Sequence, residues 1–331
     1  MSTVTRTEPT VEPVPSHTGR HVLAVVVGLA LLLSLLVAAF ALPAVNAAPR
    51  DLPLGLSGPA PATAQFGQLL EARQPGAFAV TTFPDETALR SAIQDRDVYG
   101  GLAVGTGAPK LLVASAASPA VAAALTGLGQ AVGLSQGVTL VPEDVVPLPA
   151  GDPHGAALAT ALLPVLIGGI APVVLLVRVV RRRNIQVLGV LLSNVATGFA
   201  VIAVLHVGMG ALSGSYLLES LALSLLLAAI STTLLGLYAV ARWPGFGAGA
   251  LTMLLLGLPL SGVQSAPELL PGFWATLGQA LPPGAGSRVL RSAAYFDGRG
   301  ATTAVLVLAC WLGAGLLACW RGRRERQPAH D

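Results

Sequence analysis

Residues of the types that carry chemistry are scarce in this chain, and they do not occur in the sets that catalysis or metal binding requires. Cys310 and Cys319 are the two cysteines, and on one helix they would lie about 13 Å apart, too far for a disulfide. The metal-binding patterns C-x-x-C and H-E-x-x-H are absent, as is the G-x-x-x-x-G-K-[ST] pattern of ATPases. The sequence therefore predicts no catalytic residue, no metal, no cofactor and no ATPase activity of its own.

Glu219 is the one acid that lies inside a long apolar stretch, about one turn from its outer end. An acid in such a place can bind a substrate or a proton, because ionisable groups inside membrane helices mark ion and substrate pathways. It can equally reach the membrane surface or a polar neighbour. His206, near another outer boundary, is expected at the interface. Both interpretations of Glu219 stay open, and a proton-coupled carrier would rest on this residue alone.

The amino-acid composition indicates the class of protein in which these residues lie. Of 331 residues, 11% are charged, against about 25% in soluble domains, and 53% are hydrophobic. The mean hydropathy is +0.72. So few charges could not cover the surface of a water-soluble protein of this length. The composition excludes an ordinary cytosolic enzyme, a disordered chain and a nucleic-acid-binding domain, and it predicts an integral membrane protein.

Six windows without Asp, Glu, Lys or Arg are each long enough for one helix across a bilayer core of about 30 Å. The sequence thus predicts an α-helical polytopic membrane protein with six transmembrane helices. The first, at 21–44, is apolar for longer than a secretory signal sequence and is expected to remain as an uncleaved anchor. The other five form a membrane domain over 156–320, with helices near 157–178, 186–207, 217–241, 246–263 and 301–320.

Arginines gather near alternate ends of these helices, and positive charge favours the cytoplasmic side. Both termini are therefore predicted to be cytoplasmic, with a disordered tail at 1–20 and a basic tail at 321–331. The bias toward Ala, Leu, Gly and Arg suggests a bacterial genome rich in GC, and hence the bacterial cell (inner) membrane. The predicted inner face holds eleven arginines: Arg6, Arg20, Arg178, Arg181, Arg182, Arg183, Arg242, Arg321, Arg323, Arg324 and Arg326.

The segment 45–155 is predicted to be an extracytoplasmic α/β domain between the first two helices. Residues 48–152 hold 14 of the 35 charged residues, and they are numerous enough to form a core of their own. Short aliphatic runs typical of strands alternate with helical patterns in this segment, which favours a small mixed α/β fold.

Polar residues mark where the helices of this domain begin. Asp85 can cap a helix that starts at Glu86, and Ser118 can cap one opened by Pro119. The adjacent acids Asp85–Glu86 and Glu143–Asp144 point in different directions, so they are expected to be solvated caps and turns rather than catalytic pairs.

The segment 264–299 is apolar, but prolines interrupt it, so it cannot form one straight span. It predicts a re-entrant outer hairpin before the last helix, whose backbone must be shielded by protein or line a cavity. A set of prolines, glycines and polar or aromatic residues in and next to this segment forms a recognisable pattern: Pro259, Ser261, Gly262, Pro267, Pro271, Pro282, Arg291, Tyr295, Phe296 and Gly298.

In these positions the chain resembles the membrane subunits of type-2 ABC transporters. The large outer domain, with its run Tyr99–Val104, is similar to that of their phage-infection-protein-like (YhgE/Pip) branch.

The resemblance implies the permease subunit of an ABC-type exporter, embedded in the lipid bilayer, energised by a separate ATPase subunit and working as a homo- or heterodimer. The nearly uncharged helices suggest an amphipathic or lipid-like substrate. The ATPase would contact the loop that carries Arg178, Arg181, Arg182 and Arg183, although plain positive-inside anchoring also explains these arginines. The candidate pathway or interface residues are Glu219, Pro259, Ser261, Gly262, Pro267, Pro271 and Trp274.

A second class of function stays open. The chain could be a cell-surface membrane protein that does not transport and that acts through its outer domain. Its role would then be that of a receptor, a phage attachment site or an envelope scaffold.

Overall fold

A computed structural model describes residues 16–324 except 46–47, 106–107, 136 and 138–139. Among the described residues, five helices are long and apolar enough to cross a membrane, which confirms a helical, multi-pass membrane protein. They are α1 (Ser16–Val45), α5 (Ala156–Val179), α6 (Arg183–Ile202), α7 (Tyr216–Thr252) and α10 (Thr302–Arg324). π-Helical stretches continue α6 at Ala203–Gly208 and α7 at Met253–Gly257.

Helix α7 consists of two arms joined at Arg242. The backbone of Arg242 has φ 58° and ψ −145°, values that residues other than glycine rarely adopt. A Cβ on Gly249 would lie 2.5 Å from Cδ1 of Leu237, whereas these residues would be about 18 Å apart in a straight helix. The first arm (216–241) and the second arm (243–252) therefore lie side by side, and the chain reverses at Arg242.

The chain between α7 and α10 is broken into short pieces. 3-10 turns at Pro259–Ser261 and Pro267–Leu269 precede α8 (Phe273–Ala280) and α9 (Pro282–Tyr295). A proline opens both turns and α9, at the helix start where its missing N–H costs no hydrogen bond. Most residues of α9 are buried, because this helix packs against α5, α7 and α10. The part of the proline-interrupted segment that forms α9 is thus covered by protein, whereas α8 is largely exposed.

The first arm of α7 is the centre of the helical bundle. Leu223, Leu226, Leu227 and Ile230 are fully buried, and α5, α6, α9 and α10 surround them. A Cβ on Gly236 would lie only 2.7 Å from the carbonyl oxygen of Gly315, so the backbones of α7 and α10 are in contact there. Small residues permit this close approach, as is common between membrane helices.

Helix α1 packs differently. None of its window Gly19–Ala38 is buried by the rest of the described chain, and it contacts the turns at Met253–Gly257 and Pro259–Ser261. Its apolar side chains, such as Leu31 and Leu33, are therefore left for lipid or another protein.

The segment between α1 and α5 forms the predicted α/β domain. The elements are β1 (Leu52–Ser57), α2 (Ala60–Arg73), β2 (Phe78–Phe83), α3 (Glu86–Gln94), β3 (Gly100–Ala103), β4 (Lys110–Val113), α4 (Pro119–Ser135) and β5 (Pro142–Asp144). The mixed sheet has the order β2-β1-β3-β4-β5, in which β3 and β4 are antiparallel and the other neighbours are parallel. Leu111 and Leu112 are neighbours in β4 and point to opposite faces of the sheet. Leu112 packs with α3, and Leu111 packs with α2 and α4, so helices cover both faces.

Several predicted boundaries shift. Helix α1 begins at Ser16, inside the tail predicted at 1–20, while 1–15 and 325–331 lie outside the described residues. The helix predicted at 246–263 ends at Gly257, because Pro259 opens a 3-10 turn.

Candidate functional site

Two turns of the chain meet at the end of the bundle that lies away from the α/β domain, here called the distal end. The guanidinium group of Arg178, at the end of α5, lies 5.7 Å from the centre of the Trp243 ring. Those of Arg183 and Arg242 lie 5.7 and 5.8 Å from the centre of the Tyr238 ring. Such cation–π contacts stabilise the turn between α5 and α6 against the reversal of α7.

The four arginines proposed as a coupling loop therefore do not act as one set. Arg178 and Arg183 contact aromatic rings, and Arg181 and Arg182 lie between them at the tip of the turn. Arg178, Arg181 and Arg182 are all exposed, but the ring contacts hold the turn that presents Arg181 and Arg182 to carboxylates or phosphates.

Glu219 is fully buried near the end of the bundle beside the α/β domain. Its Oε2 lies 2.8 Å from Nδ1 of His206, and its Oε1 accepts the backbone N–H of Gly214 at 3.0 Å. His206 belongs to the π-helical stretch after α6, and its ring meets that of Tyr216 edge to face, with centroids 6.0 Å apart. Glu219 thus reaches a polar neighbour, one of the two outcomes that the sequence left open.

Ser261 and Gly262 form the turn at which the broken segment folds back. Gly262 has φ 68°, and a Cβ there would lie 2.9 Å from the nitrogen of Pro267, so a side chain at this position would be strained. The carbonyl oxygen of Ser261 accepts hydrogen bonds from Nε2 of Gln279 (3.0 Å) and from Oγ of Ser287 (3.2 Å). These bonds connect the turn to α8 and α9.

Of the remaining predicted hairpin residues, Pro267 lines one small cavity together with Ser261 and Gly262, whereas Pro259, Pro271 and Trp274 do not line it. Pro259 and Pro267 each open a 3-10 turn, and Pro271 lies just before α8. Trp274 is 46% exposed, and its ring contacts Phe273 edge to face. Trp274 therefore faces outward, in a position suited to lipid rather than to a pathway inside the bundle.

Arg291 connects the broken segment to the α/β domain. It is 7% exposed; its Nη1 donates to the carbonyl of Ala117, and its Nη2 donates to that of Val263, both at 2.7 Å. A second connection is the hydrogen bond from the hydroxyl of Tyr99 to Oε2 of Glu268 at 2.7 Å. The outer domain is thereby attached to the proline-rich segment rather than to the long helices alone.

The two acidic pairs of the outer domain are brought together by Arg90. Its Nη2 lies 2.6 Å from a carboxylate oxygen of Glu86 and 2.6 Å from one of Glu143. The hydrogen bonds from Arg90 hold the pKa of both carboxyls below their usual range. Asp85 caps α3 as predicted, since its Oδ1 accepts the N–H of Ala88 at 2.8 Å.

A polar group inside the bundle was missed at the sequence level. Oγ of Ser231 donates to the carbonyl of Gly169 (2.6 Å) and lies 3.1 Å from Oδ1 of Asn194, so three helices meet at one hydroxyl. Ser231 and Asn194 are fully buried. An asparagine in a long apolar helix is the sequence signal that could have indicated this contact, because a buried amide needs partners.

The described residues contain no group of three or more His, Cys, Asp or Glu side chains that could hold a metal ion. The sequence does contain the serine-hydrolase pattern G-x-S-x-G at 133–137. Gly133, Leu134 and Ser135 of this pattern lie at the C-terminal end of α4 rather than at a turn from strand to helix, which is the context in which such a serine is a nucleophile.

Comparison with known proteins identifies no relative: the chain matches no protein-family model, no curated protein and no solved structure.

Proposed function

We propose that this chain is the membrane subunit of an exporter for an amphipathic or lipid-like substrate, energised by a separate ATPase. It would cross a bacterial cell membrane six times with both termini in the cytoplasm, and it would work as a dimer. The count of six takes the two arms of α7, which lie side by side, as separate membrane segments.

The observation that carries the proposal is the ordered distal end. Two turns from separate parts of the chain are packed together by cation–π contacts, and they present Arg181 and Arg182 to the surroundings. Plain anchoring by the positive-inside effect requires charge but no fixed arrangement of the turns. A built platform at the predicted cytoplasmic end favours contact with a partner protein.

Two further features support an amphipathic or lipid-like substrate and a dimeric assembly. The long helices expose many apolar side chains and carry little charge, which suits an apolar path along their surface. Helix α1 has an unburied window of 20 residues, which offers an apolar face to a second permease subunit.

The proposal is tested by placing a photo-crosslinking amino acid at Arg182 in the full chain, expressed at native level in its own membrane. We expect an adduct with a protein that carries a nucleotide-binding P-loop, identified by mass spectrometry. We also expect ATP-dependent efflux of a fluorescent lipid from vesicles that contain the purified complex.

The double variant Arg181→Glu/Arg182→Glu should lose the adduct and the efflux. Arg73→Glu, an exposed arginine at the end of α2, serves as the matched control and should keep both. Normal ATP-dependent efflux by the double variant, inserted at the normal level, would contradict the coupling role.

The alternative function, a surface protein that acts through its outer domain, is favoured by one observation. A pocket of about 170 Å³ lies between α2, β3 and α4, with Phe66, Leu102 and Leu140 among its mostly apolar lining. Ala62→Trp would fill this pocket from α2. The alternative would be supported if this variant lost phage adsorption or ligand binding while its efflux equalled that of the parent protein. It would also be supported if the variant lost that binding and the parent protein itself showed no efflux.

A further inference from the structure

A small cavity lies where the α/β domain meets the proline-rich segment. Its volume is about 20 Å³, counted as the space open to the centres of water-sized molecules. Its lining includes Arg96 from the outer domain, Ser261 from the turn, Gln279 from α8, and Arg288 and Arg291 from α9. Since one water needs about 10–15 Å³ by this measure, the cavity can hold one small particle, or two at most.

The cavity has a strong excess of positive charge. Arg96, Arg288 and Arg291 line it, and no Asp or Glu does within the described part of the chain. The undescribed residues between 46 and 139 are Asn, Ala, Thr, Gly, Gln and Val, so none of them adds an acid. Burying cations without counter-charge is costly, which makes an anion the natural complement.

Glu268 offsets part of this charge, because its carboxylate acts on Arg96. One carboxylate against three arginines leaves the cluster positive, and this carboxylate also accepts the hydroxyl of Tyr99 at 2.7 Å. Burial and the Glu268 carboxylate raise the pKa of Tyr99, so its phenol stays neutral and adds no negative charge. Burial, with the charges of Arg288 and Arg291 adding to it, lowers the pKa of Arg96 to about 10, which leaves Arg96 cationic at neutral pH.

The backbone conformation and the side-chain contacts of Arg96 fix its guanidinium group at the cavity. Its backbone has φ 66°, an unfavourable conformation for a residue with a side chain. Its guanidinium group lies 5.1 Å from the centre of the Phe296 ring, and its Nη1 donates to the carbonyl of Arg288 at 3.1 Å. The fold therefore directs one positive group from the outer domain toward two from α9.

Two buried polar atoms of the lining residues have no hydrogen-bond partner among the described residues. They are Nε of Arg288, a donor, and Oε1 of Gln279, an acceptor. Buried donors and acceptors are nearly always paired in proteins, so both point to a bound species. A small anion accepts from Arg288, and a water that hydrates the anion can donate to Gln279.

We propose that this cavity binds a small monovalent anion of the size of chloride, held by Arg96, Arg288 and Arg291. The anion would balance the arginines at the junction, and it would thereby stabilise the attachment of the outer domain to the broken segment. This inference is independent of the proposed transport function, since it concerns only the junction.

The test uses the full-length protein in detergent, in sodium gluconate buffer free of chloride. Chloride is added at constant ionic strength, and thermal unfolding is followed by tryptophan fluorescence. A ligand that binds only the folded state should give a saturable rise in Tm, roughly 5 °C when chloride exceeds its dissociation constant about 100-fold.

Arg288→Gln is the decisive variant, because the described chain makes no hydrogen bond to Nε of Arg288, so the fold should survive its loss. We expect its chloride affinity to fall at least about tenfold, as for a lost charged hydrogen bond. Arg73→Gln, exposed on α2, should respond as the parent protein does.

Three outcomes would overturn the proposal. No chloride dependence of Tm in the parent protein would mean that water alone occupies the cavity. An equal response in Arg288→Gln would mean a general salt effect. If inorganic phosphate or phosphatidylglycerol in mixed micelles raises Tm where chloride does not, the site serves a phosphate group instead.

Discussion

The contact between α7 and α10 gives the sharpest prediction, because it depends on a single missing methyl group. A Cβ built on Gly315 would lie 2.5 Å from the carbonyl carbon of Thr232 and 2.6 Å from the nitrogen of Thr233. Carbon atoms in ordinary contact are about 3.5–4.0 Å apart, so Gly315→Ala forces α10 away from α7 by roughly 1 Å. Both clashing atoms belong to the backbone, so a side-chain rotation cannot relieve them.

The expected cost follows from two opposed effects. Overpacking of this kind destabilises by about 1–3 kcal/mol, while Ala improves helix propensity over Gly by up to about 1 kcal/mol. Gly315→Ala should therefore lose stability on balance and lower Tm by roughly 2–6 °C. The measurement is thermal unfolding of the full chain in detergent, followed by tryptophan fluorescence.

Gly313→Ala is the matched control, two residues away on the same helix. A Cβ there would have no atom within 4 Å outside its own helix, so only the helix propensity changes. Gly313→Ala should keep Tm or raise it slightly. If Gly315→Ala unfolds at the same temperature as Gly313→Ala or higher, α7 and α10 are not in backbone contact.

Three further changes are predicted. Glu219→Ala leaves the N–H of Gly214 without its acceptor and the ring of His206 without its hydrogen-bond partner, and should cost about 1–3 kcal/mol in thermal unfolding, whereas Glu219→Gln should keep most of the stability. The stabilisation that Arg90 gives its two glutamates is present above their ordinary pKa of 4.5 and disappears as pH falls through the lowered values. Arg90→Gln should therefore flatten the dependence of Tm on pH between about pH 3 and 5, and an unchanged profile would contradict the ion pairs. Asp85→Ala should destabilise α3 by about 1 kcal/mol, seen as faster amide hydrogen exchange confined to that helix.

Local signals allowed much of the outer domain to be predicted. Asp85 and Ser118 cap helices where the sequence indicates, because an N-cap side chain bonds backbone groups only two or three residues away. Short aliphatic runs indicated the presence of strands for the same local reason. The order of the strands depends on contacts between distant residues, and neither the antiparallel pairing of β3 with β4 nor the bridge from Arg90 to Glu143 follows from local patterns.

In the membrane part too, local sequence signals were predictive, whereas contacts between distant residues were not. Arg242 interrupts the apolar windows, and the structure reverses the chain there. The pairing of His206 with Glu219 was not predicted, although the two residues lie on opposite sides of the short connection 209–215 between the π-helical stretch and α7. Arg291 was noted as part of a motif, but its bonds to Ala117 and Val263 join segments 174 and 28 residues away.

The reversal at Arg242 also bears on how the chain enters a membrane during synthesis. Two helices joined at a single residue leave no loop that could be threaded across the bilayer on its own. In the six-helix topology proposed above, the arms of α7 would insert together as a helical hairpin, with Arg242 and Trp243 on the cytoplasmic side. Lengthening this turn would then uncouple the two insertion steps.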